Sequence, residues 1–130
     1  MNNNDLVIKM MSSLLNNNNN NEATEQVSDI CSDMIGKHCL VRTYSAGVWA
    51  GYLSRKCNNE IILTKARRLY LWKVKNDGIS LSEVAISGVD SDDSKICSPV
   101  DQVWLEAIEI IPTSSESENN IKNQKEYRVS

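Results

Sequence analysis

Apolar residues recur along this chain with two different periods. Over residues 23–37, Val27, Ile30, Cys31 and Met34 fall at i, i+3, i+4 and i+7, one face of a helix, and Gly36 stands where helices end in a left-handed conformation. The spacing predicts a helix there. From His38 the period becomes two. Residues 38–44 and 48–55 are rich in β-formers around the compact turn Ser45-Ala46-Gly47, and residues 60–64 follow the turn Cys57-Asn58-Asn59. Such short connections predict an antiparallel meander. Gly51 inside a strand implies a sharp bend or bulge. Residues 69–74 fit a fourth strand before the turn Asn76-Asp77-Gly78. Residues 80–89 fit either a strand or a helical turn, and residues 90–94 read as a polar loop. Residues 103–111 match helix spacing (Trp104, Ala107, Ile108, Ile111) as well as strand alternation (Trp104, Ile108, Ile110). The β-branched cluster ahead of Pro112 favours the strand.

Both ends of the chain lose this patterning. Residues 16–21 are six consecutive Asn, which bury little apolar surface and read as a disordered linker. Before them, Leu6, Val7, Met10, Met11, Leu14 and Leu15 lie at helix-like spacing. They suit either a frayed tail or a docking peptide. After Pro112, residues 113–120 carry no apolar side chain. The expected layout is a disordered N-terminal tail over residues 1–23, one small domain over 24–112, and a disordered polar tail over 113–130. The expected fold is mainly β with one N-terminal helix (α+β): a small, strongly bent antiparallel β-barrel of SH3-like or Sm-like plan. Gly51-x-Leu53, an Asn-bearing turn and Ile61-Ile62-Leu63 resemble the first half of an Sm motif, but the Arg-Gly strand of its second half is not evident. Trp49, Trp72, Trp104, Tyr44, Tyr52 and Tyr70 are many large side chains for so small a core, which favours oligomerisation.

Three runs carry a more specific likeness. They are Val41-Arg42-Thr43-Tyr44-Ser45-Ala46-Gly47-Val48-Trp49-Ala50-Gly51, Ala66-Arg67-Arg68-Leu69-Tyr70-Leu71-Trp72, and Pro99-Val100-Asp101-Gln102-Val103-Trp104-Leu105-Glu106-Ala107-Ile108-Glu109-Ile110-Ile111-Pro112. Over about residues 35–112 the chain resembles a family of small proteins of uncharacterised activity encoded by tailed phages and prophages. The resemblance implies a phage origin and a shared fold. It implies no catalytic residues.

Composition narrows the chemistry. The chain has 130 residues, is 41% hydrophobic, contains no Phe and carries a net charge of −3. No stretch approaches the roughly 18 apolar residues of a membrane span. The first residues lack a basic segment before an apolar run, so a cytoplasmic protein is expected, and the resemblance implies a host bacterial cell. His38 is the one histidine and sits beside Cys39 at a strand start, where a structural role is expected. The cysteines Cys31, Cys39, Cys57 and Cys97 form no closely spaced ligand pair, so they read as reduced thiols and no metal site is expected. Asp90, Asp92 and Asp93 lack the Gly and the distant Glu of a calcium loop. Glu106 and Glu109 face opposite sides of a regular strand, which does not suit paired acid–base work. No phosphate-binding Gly-rich motif occurs. These absences point away from an enzyme and call for no cofactor.

Charge is distributed unevenly. Residues 37–75 hold nine basic side chains against Glu60 alone, a balance of +8, while residues 76–112 hold eight acidic side chains against Lys95, a balance of −7. One reading pairs the halves within the fold or between subunits. The other places Arg42, Lys65, Arg67 and Arg68 in a pocket with Trp49, Tyr70 and Trp72. There, guanidinium forks would take phosphate and the rings would stack on a base. The acidic half argues against bulk nucleic-acid binding. The expected function is a non-enzymatic phage accessory protein that binds a small anionic, nucleotide-like ligand as a homo-oligomer. It could sequester a host signalling nucleotide as an anti-defence device. The alternative is a structural or interaction module that docks a host or virion protein.

Overall fold

The computed structural model describes Ile30 and residues 32–127. The chain divides into two compact units, Met1–Met34 and Ile35–Ser130, and the second carries every element named here. Its strands are β1 (His38–Thr43), β2 (Val48–Cys57), β3 (Glu60–Leu71), β4 (Lys95–Cys97), β5 (Val100–Pro112) and β6 (Glu126–Tyr127). Helix α1 (Leu81–Ser87) separates β3 from β4, and α2 (Ser115–Lys122) separates β5 from β6. The fold is mainly β with these two helices. Among the described residues, no helix is long and apolar enough to cross a membrane. The segment 6–15 and the Asn tract lie outside the described residues, as does most of the helix expected over 23–37.

The sheet has the order β2-β1-β5-β3-β4-β6, and β2 also pairs with β3. Strands β1, β2, β3 and β5 therefore form a closed circuit of antiparallel pairs. The circuit turns on bulges. Register shifts between Ala50 and Tyr52, opposite Lys65, whose φ is +49°. A Cβ on Gly51 would stand 3.0 Å from Ala66 Cα and from the Thr64 carbonyl oxygen, so glycine permits this close approach. The expected bend at Gly51 is present. Because the bulge absorbs the irregularity, the expected third and fourth strands are one continuous β3.

One face of the circuit buries Val41, Trp49, Leu53, Ile61, Leu63 and Leu105, with Val41 opposite Trp49, Leu53 opposite Leu63, and Ile61 opposite Leu105. The other face carries Leu40, Ala50 and Leu69 against Val84, Ala85, Val89 and Ile121 from the helical side. Residues 80–89, open between strand and helix on sequence, contain α1. Ser80 caps it: its hydroxyl accepts from Glu83 N–H while Glu83 Oε1 accepts from Ser80 N–H at 3.0 Å.

The segment over residues 113–130, expected as a disordered polar tail, carries α2 and β6. Ser114 Oγ accepts from Ser117 N–H at 3.0 Å and starts α2. Ile121 of that helix is 1% exposed in the core, and Ser117 Oγ donates to the Val84 carbonyl at 2.6 Å. One buried Ile and one satisfied hydroxyl dock a helix whose remaining surface is polar.

Candidate functional site

The seven side chains expected to form an anion pocket are dispersed by the fold. The Lys65 bulge sets the faces of β3, so Arg67 points among the helices and Arg68 away from them. Arg67 is 5% exposed. Its Nε donates to the Cys97 carbonyl at 2.8 Å, Nη1 donates to the carbonyls of Ile121 (2.8 Å) and Gln124 (2.9 Å), and Nη2 reaches that of Ile96 at 3.4 Å. Its fork is spent on the backbone of β4 and the end of α2. Arg42 Nε donates to Glu109 Oε1 at 2.9 Å across β1 and β5. Trp72 packs half-buried against the core beside the helices. Tyr70 is exposed and stacks on Tyr127, with centroids 6.1 Å apart. Lys65 is exposed at its bulge. Only Arg68 and Trp49 come together, the guanidinium lying 4.5 Å from the buried indole's centroid. Among the described residues Arg68 has no acidic partner.

A different face carries the prominent surface feature. Helices cover one end of the outer sheet face, where Leu40, Ala50 and Leu69 lie. At the other end, register aligns Arg55, Ile62 and Trp104 across β2, β3 and β5. Side chains directly opposite in an antiparallel pair share a face. Trp104 is 72% exposed at the middle of β5, and Ile62 beside it is half-buried. A groove of about 410 Å³ runs along the indole, lined by Arg55, Lys56, Cys57, Glu60, Ile62 and Trp104. On the indole's far side a cleft of about 100 Å³ reaches Tyr44, which is 86% exposed. Trp104 is thus a ridge between two depressions. In the next row, Glu60 and Glu106 stand directly opposite each other. Two like charges so placed destabilise the pair. Sequence reasoning assigned Trp104 to the closing strand and missed its exposure. The signal was its place in the alternation, opposite in phase to Leu105 and Ala107.

Titratable groups beneath the surface are structural. His38 is 6% exposed, with Nδ1 2.6 Å from Thr113 Oγ1 and its ring edge-on to Tyr52. Burial lowers its pKa from the ordinary value; nearby Lys122 adds to this and Glu118 opposes it. The Tyr52 hydroxyl donates to Glu118 and has a raised pKa, chiefly through burial. Burial pushes the Cys39 thiol up to about 12, which leaves it inert as a nucleophile. Among the described residues, no group of His, Cys, Asp and Glu side chains could hold a metal ion.

No curated protein matches the chain. Residues 36–121, spanning β1 to α2 and so including both the Trp104 face and the helix that Arg67 holds, match the family described as a domain of unknown function, DUF6948, and the chain belongs to that family.

Proposed function

We propose that the domain is a non-enzymatic interaction module that docks a protein surface through its Trp104 face. The exposure of Trp104 carries this reading. An indole held on a paired strand, flanked by grooves and by half-buried Ile62, is a rigid apolar anchor, and such anchors dominate protein interfaces. The closed circuit of β1, β2, β3 and β5 supports placing the fold among small SH3-like or Sm-like barrels, though a fold does not itself name a partner. The resemblance of the three sequence runs supports an accessory protein of a tailed phage or prophage, working in the cytoplasm of a bacterial host. A photo-crosslinking residue, benzoylphenylalanine, tests the face when introduced at position 104 or at the exposed loop position 92 of the full chain in producing cells. Adducts at 104 well above those at 92 are expected. Equal yields would overturn the reading.

The exposed Arg68 guanidinium on Trp49 favours a second reading, a small anionic ligand held by a charged, planar donor. Mono-, di- and cyclic nucleotides should then raise the melting temperature, and Arg68→Ala should abolish the shift while leaving the fold intact. No shift with any of them sinks this reading.

A further inference from the structure

The Trp104 face has a layout that bears on what covers it. Its basic group, Arg55, lies on β2 at one side. Its acidic pair, Glu60 and Glu106, lies on β3 and β5 toward the other. Ile62 lies between Arg55 and Trp104 across the three strands, the Trp104 ridge stands beside Glu106 on β5, and the groove runs between Arg55 and the indole. Knob, hole, positive edge and negative edge are all on one patch. A surface of this kind complements itself: a two-fold axis lying in the face brings each basic edge onto an acidic edge, twice over.

Resting on the interaction-module reading, we propose that the partner is a second copy of this chain. Each Trp104 enters the groove beside Ile62 of the other copy, and Arg55 of each meets Glu106 of the other. The monomer's own surface supports this choice. Among the described residues, Arg55, Glu60 and Glu106 make no ion pair. The Glu60–Glu106 opposition costs stability while the face is open and is relieved when a guanidinium arrives. An indole entering a preformed groove can bury about 150–250 Å² and loses little side-chain freedom.

Sedimentation equilibrium of the full chain tests the proposal. The apparent mass should rise with concentration from 14.6 kDa toward twice that value. Trp104→Ala should loosen the dimer by roughly thirtyfold, as loss of a central aromatic anchor does. Arg55→Glu alone and Glu106→Lys alone should each weaken association, because each sets like charges against one another. The double variant Arg55→Glu, Glu106→Lys should restore it. These side chains are exposed, and circular dichroism melts of each variant verify that the fold is retained. A monomer persisting to about 1 mM overturns the proposal, and so does a double variant no better than the worse single one. If the chain is monomeric yet crosslinks at position 104, self-association falls and the interaction module stands. If neither occurs, both fall.

Discussion

Arg67 shows how much one side chain can organise. It is a buried cation whose donors meet four backbone carbonyls, two of them at the end of α2, where the helix dipole also favours positive charge. Arg67→Ala removes a donor from each of those carbonyls and should cost about 3 kcal/mol. Arg67→Lys keeps the charge but loses the fork, and should recover only part of it. Arg68→Ala removes an exposed cation from an indole and should cost about 1 kcal/mol or less. Denaturant unfolding of the three variants reads these differences directly. His38 gives a pH signature. Its folded pKa is lowered, so its contribution is complete above the ordinary value of 6.5 and is lost as pH falls from there through the folded value. Melting temperature should therefore decline on acidification below about pH 6.5, before most carboxylates titrate. His38→Gln should flatten that limb. Adjacent letters hid the contrast between Arg67 and Arg68. Alternation alone puts them on opposite faces, but which face each takes depends on the Lys65 bulge, and that depends on the approach of Gly51 from β2.

Individual elements were legible to different degrees, for identifiable reasons. The β1–β2 hairpin announced itself through a short turn and dense β-formers. Strand β5 did so through β-branched residues ahead of a proline. The strands expected over residues 60–64 and 69–74 leave 65–68 unassigned, and β3 runs through them because a bulged strand accommodates the irregular residue at Lys65. Helix α2 was hidden because its stability lies in docking, not in its own apolar periodicity. Ile121 and Ser117 supply that docking, and Arg67 closes its C-terminal end. Removing residues 113–130 should therefore do far more than trim a tail. It opens the core around Val84 and Ile96 and strands the Arg67 guanidinium. Loss of cooperative thermal unfolding is expected, as read by near-ultraviolet circular dichroism. A sharp transition at the full-length temperature would show that α2 contributes nothing.

At the scale of the whole molecule, the +8 and −7 blocks do not form two separate faces. Strand β5, from the acidic block, lies between β1 and β3 of the basic block. Arg42–Glu109 joins the blocks across β1 and β5, and Lys73–Asp93 joins them beside β4. Arg42 and Lys73 are taken up by these pairs and Arg67 by backbone carbonyls, so the basic side chains do not gather in one pocket. The Trp104 face is where segments of both blocks remain side by side and open. The candidate site was therefore legible as ingredients (aromatic excess, uneven charge) but not as a place, since place depends on which distant strands pair. The β1–β5 closure also has a consequence for synthesis. His38 and Thr113 meet across 75 positions, and two of the carbonyls that receive Arg67, those of Ile121 and Gln124, come later still. A growing chain makes the β1–β3 meander early, with an unpaired edge and without the carbonyls that accept from Arg67. Closure of the circuit waits for β5, and docking of α2 waits for the residues after Pro112; long-range pairing of this kind is slow. Nascent chains arrested shortly after Pro112 emerges should be cleaved readily by protease, and released chains should resist it. The newborn meander thus presents an unpaired strand edge to its surroundings, and its exposure to aggregation lasts until β5 and α2 arrive.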